Sequence, residues 1–140
     1  MRPRELHHVA VVVKDVEAEL ALYRRTLGLE ARSVRDVPDQ KVRIAFVSLG
    51  NTLLELVQPT DADSGVARFL AERGRSTLHH LCFAVDDLKG TLDRLAAAGV
   101  ELVDRAPRRG AEGDVAFLHP RAADGVLVEL IDRASITVKA

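Results

Sequence analysis

The feature that most constrains this chain is an internal repeat. The segment Leu-His-His-Val-Ala at residues 6–10 returns as Leu-His-His-Leu-Cys at residues 78–82, an offset of 72 residues. Further along, Leu-Leu-Glu-Leu-Val at residues 53–57 returns as Leu-Val-Glu-Leu-Ile at residues 127–131. A repeat of this length with only two copies is too long for a solenoid unit. The sequence therefore predicts two duplicated half-domains.

Each half predicts the same order of secondary-structure elements. An apolar strand ends at an aspartate that can cap a helix, and a helix with apolar residues at core spacing follows. A glycine stands where this helix should end, and three shorter strands come next, so both halves read as βαβββ. We predict an α+β fold in one domain, 1–140, made of repeats at 5–60 and 76–133 with a linker helix near 64–72. The predicted strands are 7–13, 30–36, 42–49, 52–58, 79–85, 100–104, 114–119 and 126–132.

The composition limits the partners of the chain. Apolar residues make up 47% of the 140 residues, which is typical of a globular domain. A formal net charge of −1 gives no overall attraction to nucleic acid or to an anionic membrane. Cys82 is the only cysteine, which excludes an intrachain disulfide and fits a reducing compartment. We expect a cytoplasmic protein with no signal peptide, no nucleic-acid partner and no membrane association.

Two histidines and two glutamates stand at equivalent places in the two repeats, each among apolar strand residues. They are His8, Glu55, His80 and Glu129. An unpaired carboxylate buried in such a strand would cost several kcal/mol or would take up a proton. One residue alone could be a hydrogen-bonded core histidine or a solvent-facing glutamate at a strand edge. The duplication of both residue types favours one shared divalent cation, which would satisfy all four side chains.

The ligand types limit which metal would bind. Two imidazoles and two carboxylates without a thiolate suit Co²⁺, Mn²⁺, Ni²⁺ or Zn²⁺. Four protein ligands leave one or two positions open on a metal that prefers five or six, which is typical of a catalytic site. The neighbouring His7 and His79 face the other way by strand alternation, so we predict structural or supporting roles for them.

Six short segments carry a resemblance to a known family. They are Leu-His-His-Val-Ala at 6–10, Gly-Asn-Thr-Leu-Leu-Glu-Leu at 50–56, Leu-His-His-Leu at 78–81, Gly-Ala-Glu-Gly at 110–113, Phe-Leu-His-Pro at 117–120 and Gly-Val-Leu-Val-Glu-Leu at 125–130. Together with the paired βαβββ modules, they resemble the vicinal-oxygen-chelate (glyoxalase/bleomycin-resistance) superfamily, and within it the methylmalonyl-CoA epimerase family. The likeness covers about residues 5–132.

The resemblance implies a partly open mixed β-barrel around a metal site. It also implies a divalent metal, Co²⁺ first, at the residues matching His8, Glu55, His80 and Glu129, and a homodimer that acts on a small acyl-CoA. The implied reaction is epimerisation at C2 of methylmalonyl-CoA in propionyl-CoA and odd-chain or branched-chain catabolism. The chain departs from the pattern at one ligand, since many epimerases carry Gln at the position of Glu55.

The same resemblance and the strand alternation suggest roles for individual residues. Glu129 is expected as one acid/base group, and Glu55 or a metal-bound water for the opposite face of the substrate. Arg43 could face the cavity and bind the substrate carboxylate, or it could be a solvated strand-edge charge. His119 is a candidate substrate contact. The basic, glycine-bearing loop 104–114 could cover the site or bind CoA phosphates, or it could be an ordinary exposed loop.

Three alternative functions remain open at the level of sequence. A glyoxalase I-like lactoylglutathione lyase is favoured by Glu55, because His-Glu-His-Glu is also the ligand pattern of that enzyme. A ring-cleaving dioxygenase would need Fe²⁺ on two histidines and one carboxylate, and four ligands argue against it. A non-catalytic drug-binding protein of the same superfamily would usually lack the ligand residues that this chain keeps.

Overall fold

In each repeat, one helix follows the first strand and precedes the remaining strands. The computed structural model describes residues 2–140. The first repeat contains β1 (Glu5–Val12), α1 (Val16–Leu27), β2 (Ser33–Val37), β3 (Val42–Ser48) and β4 (Leu53–Pro59). The linker carries α2 (Gly65–Arg73), and the second repeat contains β5 (Thr77–Val85), α3 (Leu88–Ala97), β6 (Arg108–Arg109), β7 (Asp114–Phe117) and β8 (Val128–Asp132). The predicted βαβββ order is therefore confirmed in both repeats.

The helix boundaries follow from capping side chains. Asp15 begins α1 by accepting hydrogen bonds from two backbone N–H groups of the first turn, and Asp87 does the same for α3 through the N–H of Gly90. Gly28 ends α1 in the left-handed conformation, with φ of 68°, which glycine adopts without steric cost. Ser64 caps α2, so the predicted linker helix is also confirmed. Among the described residues, no helix combines the length and the apolar character that crossing a bilayer requires.

The chain divides into two compact units by its internal contacts. The central unit is Val9–His79 with Ala140, and the terminal unit contains the residues up to His8 together with His80–Lys139. The boundary falls inside β1, so His8 belongs to the same unit as most of the second repeat. The division into repeats at 5–60 and 76–133 remains an interpretation of the sequence.

In the central unit, α1 packs on the antiparallel strands β2, β3 and β4, with β1 hydrogen-bonded beside β4. Leu56 of β4 packs in the helix-side core, so strand alternation turns Glu55 to the other face. Glu55 lies opposite Phe46 in the register of β3 and β4. The helix-side core contains Val11, Val13, Val16, Leu20, Ala45, Val47 and Leu56.

In the terminal unit, β8 lies between the parallel strand β5 and the antiparallel strand β7, and β6 pairs with β7. Glu129 of β8 is in register with Cys82 of β5 and with Phe117 of β7. Leu130 packs in the core beneath α3, so Glu129 faces away from that helix. This core contains Val85, Leu88, Leu92, Ala116 and Leu130.

The predicted strand at 100–104 is wrong. Only Leu102 makes an isolated bridge there, to Leu118, and the second strand of this repeat is β6. The Asp104 carboxylate accepts a hydrogen bond from the backbone N–H of Phe117 at 2.8 Å, which takes the donor that a longer ladder would use. Pro107 follows shortly after, and proline has no N–H to offer a neighbouring strand.

Candidate metal centre

Three of the four predicted ligands come together in the terminal unit. The Nε2 atoms of His8 and His80 lie 3.1 Å apart. The Oε1 atom of Glu129 lies 3.1 Å from the first and 3.2 Å from the second. His8 and Glu129 are 1% and 8% exposed, so the triangle of ligand atoms is shielded from bulk water.

The spacing and chemistry of this triangle fit a divalent cation. Bonds of about 2.0–2.1 Å set neighbouring ligand atoms roughly 2.8–3.4 Å apart, from octahedral to tetrahedral geometry. All three distances in the triangle fall within that interval. Two imidazoles and one carboxylate are also the ligand types that borderline divalent metals take. The residues present therefore suit the metal that the sequence predicts.

Strand register explains why these side chains meet. His80 shares a strand face with Cys82, because residues two apart on a strand point the same way. Cys82 is the parallel register partner of Glu129, so His80 and Glu129 project from adjacent strands on one face. Phe117, the other register partner of Glu129, packs edge-on against the His80 ring, with ring centroids 5.4 Å apart. This contact limits rotation of the His80 imidazole.

The Glu129 carboxyl is held in its ionised form. Burial alone would raise its pKa, but hydrogen bonding to His8 and His80, together with the charges of those rings, holds the pKa well below its ordinary value. An ionised carboxylate is ready to bind a cation. The same low pKa makes Glu129 a weak base for as long as it keeps both contacts.

Glu112 belongs to this site although the sequence analysis gave it no role there. Its Oε2 atom lies 3.3 Å from Nδ1 of His8, and the residue is only 5% exposed. The short connection between β6 and β7 carries it, closed by a hydrogen bond from Gly110 N–H to the Gly113 carbonyl. Glu112 has no counterpart in the first repeat, so a search for duplicated residues could not find it. The available signal was the segment Gly-Ala-Glu-Gly at 110–113, which carries part of the family resemblance and places an acidic residue between glycines.

His7 lies beside His8 and is anchored to the backbone, and its supporting role stays a prediction. Its Nδ1 atom lies 2.8 Å from Nδ1 of His8, and its Nε2 atom lies 2.7 Å from the backbone carbonyl of Val138. Burial, together with the neighbouring His8, lowers the pKa of the His7 ring and favours its neutral form. His79 instead packs edge-on against Phe69 in the central unit.

Glu55, the fourth predicted ligand, lies on β4 of the central unit. It is 2% exposed, as expected for a carboxylate among apolar strand residues. Its role as a metal ligand stays a prediction from the repeat.

The two predicted substrate contacts have other partners in the structure. The guanidinium of Arg43 pairs with Glu17 of α1 and Asp36 of β2, at 3.1 and 3.0 Å. These ion pairs favour the alternative of a partly solvated strand charge. Nδ1 of His119 accepts a hydrogen bond from the Arg121 N–H and caps the 3₁₀ turn that follows. Binding of substrate by Arg43 and His119 therefore stays a prediction.

The basic loop at 104–114 balances its own charge. Arg108 pairs with Asp104 at 3.2 Å and lies over the Phe117 ring, while Arg109 pairs with Asp114 at 3.4 Å. The contribution of this loop to CoA binding stays a prediction.

Comparison with known proteins places this site in a family. Residues 7–117 match the model of the Glyoxalase/Bleomycin resistance protein/Dioxygenase superfamily. An ethylmalonyl-CoA/methylmalonyl-CoA epimerase of Cereibacter sphaeroides is 42% identical over 127 residues, which are 89% of this chain and 95% of the relative.

Solved structures agree with the sequence relatives. The methylmalonyl-CoA epimerase of Mycobacterium tuberculosis is 32% identical, with a TM-score of 0.85 over 93% of this chain and 88% of its own. A methylmalonyl-CoA epimerase in complex with methylmalonyl-CoA and NH₄⁺ is 30% identical, with a TM-score of 0.86 over 98% and 100%. The predicted α+β glyoxalase fold is thus confirmed. The chain belongs to the glyoxalase/bleomycin resistance protein/dioxygenase superfamily and, within it, to the methylmalonyl-CoA epimerase family.

Proposed function

We propose that the chain is a metal-dependent epimerase that interconverts (2R)- and (2S)-methylmalonyl-CoA by 1,1-proton transfer. The observation that carries the proposal is the triangle of His8, His80 and Glu129 in a chain 42% identical to an acyl-CoA epimerase. This reaction would serve propionyl-CoA and odd-chain or branched-chain catabolism.

The substrate makes this reaction possible because C2 of a methylmalonyl thioester lies between two carbonyl groups. Loss of the C2 proton gives an enolate whose negative charge spreads onto the neighbouring oxygens. A bound divalent metal supplies Lewis-acid stabilisation of that charge. His8, His80 and Glu129 would hold the metal, with Glu55 as the predicted fourth ligand. The buried position of these groups excludes water and strengthens their electrostatic effect.

Inversion at C2 needs one proton acceptor and one donor on opposite faces of the substrate. Glu129 is proposed as one of them. Because its pKa is held low by His8 and His80, it has to give up one of those contacts before it can take a proton. Glu55 is proposed for the opposite face, with a water molecule at the site as the alternative.

The finer properties of the holoenzyme are proposals as well. We propose Co²⁺ as the metal, with Mn²⁺, Ni²⁺ and Zn²⁺ as alternatives that suit the same donors. A homodimer and a cytoplasmic location follow from the family resemblance and from the single cysteine. The native mass in solution tests the dimer.

Exchange of the C2 proton tests the proposed function directly. Co²⁺-loaded protein is incubated with one epimer of methylmalonyl-CoA in deuterated water, and both the deuterium at C2 and the second epimer are followed. We expect both to appear together, well above the spontaneous exchange measured without protein and with the chelated protein. The proposal fails if exchange stays at the spontaneous rate while the adduct of glutathione and methylglyoxal is turned over.

A further inference from the structure

Two consecutive histidines form a hydrogen-bond chain that ends at the candidate metal site. The chain begins at the backbone carbonyl of Val138, which lies 2.7 Å from Nε2 of His7. A carbonyl oxygen only accepts hydrogen bonds, so Nε2 of His7 carries the hydrogen. A neutral imidazole has a single ring hydrogen, so Nδ1 of His7 presents a lone pair.

That lone pair faces the next ring. Nδ1 of His7 lies 2.8 Å from Nδ1 of His8, which must therefore carry a hydrogen and donate it. The second neighbour of this nitrogen is Oε2 of Glu112 at 3.3 Å, and an ionised carboxylate also only accepts. Both neighbours accept a hydrogen from Nδ1 of His8, while Oε1 of Glu129, 3.1 Å from Nε2, accepts one there as long as no metal takes its place. A bare Nδ1 would face a lone pair and a negative charge.

The assignment decides which nitrogen of His8 is free for a cation. When His8 is neutral with its hydrogen on Nδ1, its Nε2 lone pair points to the triangle shared with His80 and Glu129. The competing form would keep the hydrogen on Nε2 and donate it to Glu129, which would leave no lone pair for a metal. Histidine ligands are commonly fixed by an acceptor on the other ring nitrogen.

We infer that His7 is a positioning residue. Its Nε2–H donates to the Val138 carbonyl, so its Nδ1 accepts the hydrogen bond from Nδ1–H of His8 and fixes the tautomer of His8 that binds metal through Nε2. The inference rests on the metal site of the proposed function. Residues 136–138, the carboxy-terminal segment, hold this arrangement in place. Thr137 donates its N–H to the Glu112 carbonyl at 2.7 Å, and Ile136 packs on the core that contains Cys82.

A second cation would be the competing explanation for the buried polar cluster. His7, His8 and Cys82 also bring ligand atoms within 4.8 Å of one another. An ion bound there would need the Nδ1 lone pairs of both rings, and one of those lone pairs is occupied by a hydrogen in the proposed arrangement. The stoichiometry of metal binding therefore separates the two explanations, since one ion per chain supports the tautomer relay and two overturn it.

The first experiment reads the tautomers directly. Long-range ¹H–¹⁵N correlation spectra of the ¹⁵N-histidine-labelled, Zn²⁺-loaded protein at mildly alkaline pH distinguish the two ring nitrogens of each histidine. We expect the hydrogen on Nδ1 of His8 and on Nε2 of His7. In His7→Leu, which offers no acceptor to Nδ1–H, the fraction of His8 bound to Zn²⁺ through Nε2 should fall at limiting Zn²⁺. A wild-type His8 with its hydrogen on Nε2 overturns the inference.

The second experiment measures Zn²⁺ affinity by competition with a chromophoric chelator. His7→Leu should weaken binding by about 10- to 100-fold, as removal of an outer partner of a metal-bound histidine does. His7→Asn retains an acceptor near the place of Nδ1 and should rescue most of the affinity. His79→Leu, the matched change before the other ligand, should leave affinity unchanged, and circular dichroism checks the fold of each variant.

Each outcome of the affinity measurement has a separate meaning. Wild-type affinity in His7→Leu, with His8 still in the Nδ1–H form, transfers the role to Glu112 and overturns the inference for His7. Equal losses in the Asn and Leu variants would mean that shape rather than the acceptor matters, which also overturns it. Failure of the wild type to bind Zn²⁺ or Co²⁺ would instead remove the metal-dependent function together with the inference, whereas normal wild-type binding with an unaffected His7→Leu variant removes the inference alone.

Discussion

At the scale of single residues, one oxygen atom of Glu129 carries much of the candidate site. It contacts two imidazole nitrogens at 3.1 and 3.2 Å, and these contacts keep the carboxyl ionised despite its burial. The same atom is therefore suited to bind a cation and, while both contacts last, is a weak base. Metal binding would favour a Glu129 carboxylate with a low pKa, whereas proton transfer would require one with a higher pKa.

Glu129→Gln keeps the shape of the side chain and removes its charge. We expect Co²⁺ affinity to fall by more than the roughly 10- to 100-fold that loss of an outer partner costs, because here a ligand itself is lost. Deuterium exchange at C2 should fall to the spontaneous rate. Glu101→Gln, at an exposed residue paired with Arg121, is the control. Wild-type exchange in Glu129→Gln would exclude Glu129 from the reaction.

The ionisation of Glu129 also predicts the acid stability of the metal-free protein. Its pKa in the folded protein lies below the ordinary value of 4.5, so the ionised form stabilises the fold above that pH. This contribution is lost as the pH falls below 4.5 toward the lower pKa of the folded state. Urea unfolding with chelator present should show the free-energy difference between wild type and Glu129→Gln shrinking over that window. A constant difference contradicts the prediction.

Glu55→Leu tests separately how this buried carboxylate affects stability and how it affects metal binding. Replacing a buried ionic group with an apolar one of similar size is often neutral or stabilising, so the metal-free variant should unfold at the same or a higher temperature. Metal affinity should fall, because the predicted fourth ligand is gone. Glu30→Gln, at an exposed residue paired with Arg24, serves as the control. Unchanged metal affinity in Glu55→Leu would remove Glu55 from the ligand set.

At the scale of elements, the connection between β6 and β7 brings Glu112 to His8. Gly113 makes this possible, because a Cβ added there would lie 2.7 Å from Ser135 Oγ and 2.9 Å from the Ser135 carbonyl. Such contacts are too short for a real side chain, so only glycine lets the connection lie against the 3₁₀ turn at Arg133–Ser135.

Gly113→Ala should therefore disturb both stability and the site. We expect a loss of about 1–3 kcal/mol in the free energy of unfolding, the usual cost of overpacking, and weaker metal binding as Glu112 moves. Gly65→Ala, in the first turn of α2, where the added methyl meets only the flexible Arg68 side chain at 4.0 Å, should be neutral or stabilising. Urea titrations and chelator competition measure the two effects. Wild-type values for Gly113→Ala would show that the connection between β6 and β7 can shift without loss of stability or metal binding.

Elements built on repetition and alternation could be predicted from the sequence. Both first strands, the capped helices and the four polar positions repeat, and the structure brings His8, His80 and Glu129 together. The strand at 100–104 was mispredicted because its neighbour bonds to the Asp104 side chain, which a hydropathy pattern does not reveal. Glu112 could not be predicted because its importance comes from a contact distant in sequence and absent from the first repeat.

At the scale of the whole molecule, the candidate site unites the two repeats. His8 comes from the first repeat, and His80 and Glu129 come from the second, yet all three lie in the terminal unit. A metal bound there would join strands far apart in sequence. Ligand binding to the folded state alone stabilises it in proportion to the logarithm of ligand concentration over Kd.

Metal removal should therefore lower the stability of the whole protein. At a Co²⁺ concentration about 100 times Kd, the folded state should gain about 2.7 kcal/mol, and a chelator should reverse this gain. Thermal unfolding of wild type and of Glu129→Gln with increasing Co²⁺ measures the effect. The transition should rise with metal only in the wild type. An equal rise in both proteins would mean that Co²⁺ binds elsewhere.

The hydrogen bond from His7 to Val138 joins residues 131 positions apart. A nascent chain leaving the ribosome has His8 and His7 long before it has the carbonyl that orients them. The proposed relay thus depends on a contact that forms only when residues from both ends of the terminal unit have folded together. Under the proposed relay, metal binding should therefore follow folding of the terminal unit rather than guide its first steps.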